Sequence, residues 1–85
     1  MTDVMALIER ERIKQKLSAE KFANIVGVTS TTYSRQSNGR QGLGIESVQA
    51  YARYAQQAGN LEILQALGAY ALGLTPEEIN INQAK

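Results

Sequence analysis

The spacing of apolar positions along this chain predicts helices. Apolar residues recur three or four positions apart, the interval that places side chains on one face of an α-helix, and the alternation typical of strands is scarce. Proline interrupts helices more strongly than any other residue, and the only proline is Pro76. Residues 1–75 therefore contain no such interruption. The sequence therefore predicts an all-α fold, a compact domain of five to six helices.

Two of these helices frame the chain's central stretch. The first is expected over about residues 2–16, starting at a cap, and the fourth over about residues 45–58. The predicted inward residues are Val4, Met5, Ile8 and Arg12 in the first helix, followed by Leu17, and Ile45, Val48, Ala52 and Ala55 in the fourth. Tyr51 and Tyr54 flank the fourth stripe, where they are either half-buried rim residues or part of a partner surface.

The stretch 19–40 predicts two short helices joined by a tight turn. Ser18 is a suitable N-cap for the first, and Gly27 stands where a helix commonly ends in the left-handed conformation. Thr29 is the expected N-cap of the second, which should span about residues 30–37. The predicted inward residues are Phe22, Ala23, Ile25, Val26, Val28 and Tyr33. This arrangement is that of a DNA-binding helix-turn-helix.

A fifth helix, expected over about residues 61–72 with Asn60 as its cap, is apolar around more of its circumference than one contact requires. We therefore expect it to bury two faces. One face would pack on the first and fourth helices, and the other would pair with a second copy of the chain to form a homodimer. The candidate dimerisation residues are Leu61, Leu64, Leu67 and Tyr70.

A final short helix is predicted to begin at Pro76, because residues 75–78 form a capping box with proline at the first helical position. We divide the chain into a helix-turn-helix core, residues 1–58, and a C-terminal helical extension of the same domain, residues 59–85. The extension is the possible dimerisation element.

Composition limits the chemistry that is open to the chain. It contains no cysteine and no histidine, which excludes disulfides, thiolate–imidazole zinc sites and histidine-dependent catalytic triads. We therefore expect no catalytic residues, no metal, no cofactor and no small-molecule substrate. No run of 18 or more apolar residues and no signal-peptide pattern occurs, so a cytoplasmic protein without membrane contact is expected.

The net charge of +1 conceals an asymmetry. Residues 1–40 carry seven basic and four acidic side chains, whereas residues 41–85 carry two basic and four acidic ones. The basic half is the half with the two-helix stretch, as a phosphate-binding surface would need, although solvated helix faces alone produce a similar imbalance.

The run LSAEKFANIVGVTSTTYSRQSNGR resembles the helix-turn-helix of the phage Cro and repressor-type family of DNA-binding proteins. The resemblance covers about residues 5–58. It rests on Phe22, Ala23, Val26, Gly27, Val28 and Tyr33, and on the turn Asn38-Gly39-Arg40. Such proteins commonly carry glutamate at the position of Ser37, paired with the arginine at Arg12, glutamine at Ala19 and an apolar residue at Gln36. Here Arg12 must instead bind Glu9, a helix carbonyl or a phosphate.

Residues 30–37 would enter the major groove, which is about 12 Å wide and admits one helix. The predicted base-reading residues are Ser30, Thr31, Ser34 and Arg35. The predicted DNA-backbone contacts are Lys21, Thr29, Asn38, Arg40 and Arg12. Arg35 has the strongest base-reading chemistry, since a guanidinium binds guanine through two hydrogen bonds, although it would also serve as a phosphate contact or a solvated helix end.

These observations predict a sequence-specific double-stranded DNA-binding protein, a small homodimeric transcriptional regulator and most simply a repressor. The alternative is a protein-interaction module, such as an antitoxin or anti-repressor, built on the same helices. An enzyme is not expected, because no nucleophile and base pair can be assembled without histidine or cysteine beyond a serine–lysine arrangement.

Overall fold

The computed structural model describes residues 4–73, which form five helices and no strand. The helices are α1 (Val4–Lys14), α2 (Ala19–Val26), α3 (Ser30–Ser37), α4 (Ile45–Ala58) and α5 (Leu61–Leu72). The predicted all-α fold is confirmed. Within residues 4–73, no helix is long and apolar enough to cross a membrane. The expected cap of the first helix and the helix expected from Pro76 lie outside the described residues.

The predicted N-caps are confirmed at three helices. The Ser18 hydroxyl accepts a hydrogen bond from the Lys21 amide at 3.2 Å, and the Thr29 hydroxyl accepts one from the Thr32 amide at 3.1 Å. The Asn60 side chain does the same for α5, accepting from Ile63 N–H at 3.0 Å. Each cap satisfies an amide that has no partner inside its helix, so each fixes where the helix begins.

The end of α1 differs from the prediction, because the helix stops at Lys14 and Lys16 adopts the left-handed conformation with φ 59°. The Lys16 amide donates to the Ile13 carbonyl at 3.0 Å, and the Leu17 amide donates to the Arg12 carbonyl at 3.2 Å. This is the Schellman arrangement, in which glycine is the usual left-handed residue. The chain thus turns toward α2 on a lysine whose Cβ disfavours that conformation.

The core lies where α4 and α5 meet α1 and the α2–α3 pair. Its largest fully buried side chains are Tyr33, Tyr51, Phe22, Ile8, Ile63 and Leu67. The prediction that Tyr51 is a rim residue is wrong, since only 1 % of it is exposed. The stripe predicted for α4 is confirmed at Ala55, which is buried, and at Val48 and Ala52, which pack half-buried against the core, but not at Ile45, which is exposed. Tyr51 is the largest fully buried side chain of this helix.

The prediction that Ile25 is buried is also wrong. Phe22, Ala23 and Val26 form the buried face of α2, whereas 58 % of Ile25 is exposed. Around the helix axis, Ala23 and Ile25 lie on opposite sides of Phe22. The face that buries Phe22 and Ala23 therefore leaves Ile25 exposed. The surface of α2 therefore carries an apolar side chain that the fold itself does not cover.

Candidate nucleic-acid interface

The interface is built on the α2–α3 pair, whose helices are joined by residues 27–29. Phe22 of α2 and Tyr33 of α3 are both fully buried, and their rings meet edge to face with centroids 5.5 Å apart. Gly27 ends α2 with φ 102°, a conformation that side chains rarely adopt, and its amide bonds the Ala23 carbonyl at 2.8 Å. The pair is thus locked from within, and its identification as a DNA-binding helix-turn-helix stays a prediction.

The outward face of α3 holds the four predicted base-reading residues on one exposed surface. Ser30, Thr31, Ser34 and Arg35 are all exposed. The Ser34 hydroxyl lies 3.4 Å from the Asn38 amide nitrogen, which donates to it. The surface therefore presents three hydroxyl groups and one guanidinium. All four can donate hydrogen bonds to base edges or phosphates, but only the hydroxyls can also accept them.

Lys21, Arg35 and Arg40 are exposed, and none of them forms an ion pair within residues 4–73. Carboxylates lie close to this basic set. Glu20 lines the same shallow groove as Lys21 and Thr29, and Glu46 lines the neighbouring one beside Thr29. The surface around the α3 N-terminus is consequently of mixed charge rather than uniformly basic, which limits its attraction for a polyanion.

The Arg12 side chain is bonded within the fold. Its guanidinium donates to the Glu9 carboxylate at 2.8 and 3.2 Å, and to the Leu17 carbonyl at 2.8 Å. The predicted partner Glu9 is confirmed, and the carbonyl that Arg12 binds belongs to Leu17, between α1 and α2, rather than to a helix. The ion pair and the carbonyl use one N–H on each guanidinium nitrogen and leave two donors, so the predicted phosphate contact at Arg12 stays a prediction.

The Glu9 carboxylate also accepts a hydrogen bond from the Tyr33 hydroxyl at 2.6 Å, and this bond connects α1 to α3. Partial burial alone would raise the pKa of Glu9, but the hydrogen bonds from Arg12 and Tyr33 outweigh it and hold that pKa below its usual value. Burial raises the pKa of Tyr33, and the bond to the Glu9 carboxylate raises it further. Sequence reasoning treated Glu9 only as one partner for Arg12 and missed this bond.

Gln36 is the second inward residue of α3, with only 2 % of it exposed. Its amide oxygen accepts from the Tyr51 hydroxyl at 2.7 Å, and its amide nitrogen donates to the Ser47 hydroxyl at 2.8 Å. Sequence reasoning noted Gln36 only as a polar residue at an apolar position. The signal that could have found it is the spacing of three residues from Tyr33, which places both side chains on one helix face.

The loop after α3 is held against α5 rather than projecting freely. The Leu43 amide donates to the Tyr70 hydroxyl at 3.0 Å, and a Cβ on Gly42 would lie only 3.3 Å from that oxygen. Asn38 and Arg40, the predicted backbone contacts at the start of this loop, are exposed. The Tyr70 hydroxyl thus helps to fix the loop at Leu43, whose side chain packs against the core.

The predicted dimerisation residues do not share one exposed face. Leu61 is 74 % exposed and Tyr70 is exposed, but Leu64 is half-buried and Leu67 is 1 % exposed. Leu67 belongs to the core, so the prediction is corrected at this residue because its side chain is not available to a second chain. Leu72, near the end of α5, is exposed and was not predicted to take part.

Glu11, which sequence reasoning also missed, is buried in α1. Its carboxylate accepts from Gln15 at 2.8 Å, from Asn60 at 2.9 Å and from the Tyr54 hydroxyl at 3.3 Å. The cluster joins α1, α4 and the cap of α5, away from the outward face of α3. No group of three or more acidic residues within residues 4–73 could hold a metal ion.

Comparisons with protein-family models, with curated proteins and with solved structures find no match for this chain.

Proposed function

We propose that this chain binds double-stranded DNA as a small transcriptional regulator, with α3 inserted into the major groove. The observation that carries the proposal is the division of α3 into two faces. Its inward face is anchored by Tyr33 and Gln36, while Ser30, Thr31 and Arg35 stand exposed on the other. A short helix that is rigidly held and displays small donors with one arginine suits readout of base edges.

The chemistry of this surface assigns different roles to its cations. Arg35 would donate two hydrogen bonds to a guanine, a contact that contributes about 1–3 kcal/mol of discrimination. Lys21 and Arg40 would bind phosphates, together with the polar groups of Thr29 and Asn38. Phosphate contacts position the protein on any duplex, so sequence preference would rest mainly on Arg35, with weaker contributions from the α3 hydroxyls.

The regulator would act as a homodimer on two half-sites, and most simply as a repressor that occupies its operator. Leu61 and Leu72, which are exposed and lie about three turns apart on one side of α5, would supply the surface for the second copy. A cytoplasmic location accompanies this proposal, because the operator DNA would lie there.

A duplex titration at two salt concentrations tests the proposal. Two phosphate-binding cations per subunit make four in a dimer, so raising salt from about 50 to about 200 mM should weaken binding roughly 100-fold. Selection of bound sequences from a random duplex pool then reports the preferred site and its half-site spacing. Absence of binding, or binding that ignores salt, overturns the proposal.

A protein-interaction module, such as an antitoxin or anti-repressor, is the second candidate. Exposed apolar side chains favour it, notably Ile25 on α2 with 58 % exposure, as does the mixed charge contributed by Glu20 and Glu46. Under this candidate, Ile25→Ser would weaken binding to the product of a neighbouring gene in a purified two-protein assay. Under DNA binding, the same variant would leave the duplex titration unchanged.

A further inference from the structure

We propose that Gln36 is a positioning residue that sets the rotation of α3 about its own axis, and so determines which side chains face outward. The part of this inference that concerns DNA rests on the proposed function. The part that concerns α3 itself rests only on the packing and hydrogen bonds of α3.

Apolar packing alone leaves the rotation of α3 poorly determined. Of its eight residues, STTYSRQS, Tyr33 is the only one with a large apolar surface, and it packs on Phe22. The hydrophobic effect is not directional, so one ring in a pocket holds the helix near its neighbours without selecting one orientation closely. Directional contacts, such as hydrogen bonds, must therefore fix the orientation of α3.

Hydrogen bonds from Gln36 supply that direction on the α4 side. Both ends of its buried amide are used, the oxygen by Tyr51 at 2.7 Å and the nitrogen by Ser47 at 2.8 Å. A rotation of α3 would break both bonds, and the bond to Tyr51 is buried. The buried amide would then lose its partners without replacement, which disfavours every other orientation.

A second fixed point lies one turn earlier on the same face. The Tyr33 hydroxyl donates to Glu9 at 2.6 Å, and Arg12 holds that carboxylate from its other side. The two points face different helices, α1 and α4. Together they fix both the rotation of α3 and its height against its neighbours, and Gln36 supplies the contact on the α4 side.

Two tyrosines of α4 provide a matched pair of variants. Tyr51→Phe removes the hydroxyl that donates to Gln36, whereas Tyr54→Phe removes a hydroxyl that donates to Glu11 of α1. Each variant keeps its aromatic ring and loses one hydrogen bond. Ser47→Ala is the milder second variant, since it removes the other Gln36 partner at a half-buried site and should fold even if Tyr51→Phe does not.

The first readout is amide hydrogen exchange across α3, measured by NMR and divided by the exchange rate of the α5 core amides. Loss of a buried hydrogen bond should accelerate α3 exchange about tenfold in Tyr51→Phe, and less in Ser47→Ala. Tyr54→Phe should leave the ratio within about twofold of the parent. Equal effects of Tyr51→Phe and Tyr54→Phe on this ratio would overturn the inference.

The second readout is selectivity, the ratio of affinities for a duplex selected from a random pool and for its scrambled counterpart. We expect roughly a five- to tenfold fall for Tyr51→Phe and no more than about twofold for Tyr54→Phe. Faster α3 exchange with unchanged selectivity would overturn the link between rotation and base reading. If the parent protein binds no duplex, the proposed function fails, and hydrogen exchange alone still decides whether Gln36 positions α3.

Discussion

Helices α3 and α5 are held in place by different forces. The twelve residues of α5 bury Ile63, Ala66, Leu67 and Ala69 against α1 and α4. The eight residues of α3 bury one tyrosine and one glutamine, each of which makes a directed hydrogen bond. Apolar burial contributes more free energy per side chain, about 1.5–3 kcal/mol against about 0.5–1.5 kcal/mol for a hydrogen bond. Hydrogen bonds define orientation better, and orientation is what the proposed base-reading role of α3 requires.

Leu67→Ala should have the largest effect, since it removes apolar burial from α5. We expect the free energy of unfolding to fall by about 2–5 kcal/mol, because the substitution leaves a cavity in the core. Urea denaturation measures it. Glu62→Ala is the control on the same helix, and because Glu62 is exposed in a surface ion pair with Arg10, the variant should change stability by no more than about 1 kcal/mol. Similar losses from both would show that α5 is not held by its buried face.

Arg35→Ala should separate the two faces of α3. Because Arg35 is exposed and forms no ion pair with any other residue of the range 4–73, the variant should keep its stability and lose about 1–3 kcal/mol of duplex discrimination, measured as the selected-to-scrambled affinity ratio. Arg40→Ala should weaken both duplexes alike.

Arg53→Ala is the control for Arg35→Ala, an exposed arginine on α4 outside the α2–α3 pair. It should change the affinity ratio little. A ratio that falls as far in this control as in Arg35→Ala would remove Arg35 from its base-reading role.

Glu9→Gln tests the anchor of α3 through its pH dependence. The folded-state pKa of Glu9 lies below its usual value of about 4.5, so its contribution to stability is fully present above that pH and is lost as pH falls through the folded value. Between about pH 5 and pH 3, urea denaturation should show the parent losing more stability than Glu9→Gln. Parallel losses in the two proteins would mean that the carboxylate does not stabilise the anchor.

Lys16→Gly should give the smallest effect, and one of opposite sign. With φ 59° at Lys16, removal of its Cβ relieves strain, and stability should rise by about 0.5–1 kcal/mol. Lys14→Gly, at the last residue of α1, is the matched control and should lower stability, by no more than about 1 kcal/mol. Comparing the urea midpoints of these two variants shows how much the end of a helix alone contributes to stability. That contribution can then be set beside those of the α5 packing and the α3 hydrogen bonds.

Local signals in the sequence predicted the helices well. The bounds of α3, α4 and α5 agree with the expected ranges, because caps such as Thr29 and Asn60 act on amides only three residues away. The residues that were misplaced depend on contacts between distant parts of the chain. Tyr51 is buried because α3 and its neighbours cover it, and periodicity within α4 does not contain that information.

Polar burial was the least predictable part of the candidate site. Gln36 and Glu11 count as surface residues in any pattern of hydropathy, yet both are buried with every side-chain oxygen partnered. Gln15 is a local partner of Glu11, but Tyr54, Asn60 and the Tyr51 that bonds Gln36 come from distant parts of the sequence, so only the assembled fold identifies them. The exposed residues Ser30, Thr31 and Arg35 were placed correctly on the outside, whereas their role in reading DNA stays a prediction.

The clustered tyrosines also give the fold an alkaline limit. Burial raises the pKa of Tyr33, Tyr51 and Tyr54, with nearby carboxylates adding to the effect, so the folded chain strongly favours the neutral phenols. In the unfolded chain these phenols ionise near pH 10, which draws the equilibrium toward unfolding as base is added. Two of the three, Tyr33 and Tyr54, meet the Phe22 ring edge to face. Ionisation of the phenols and unfolding of the aromatic core are therefore coupled.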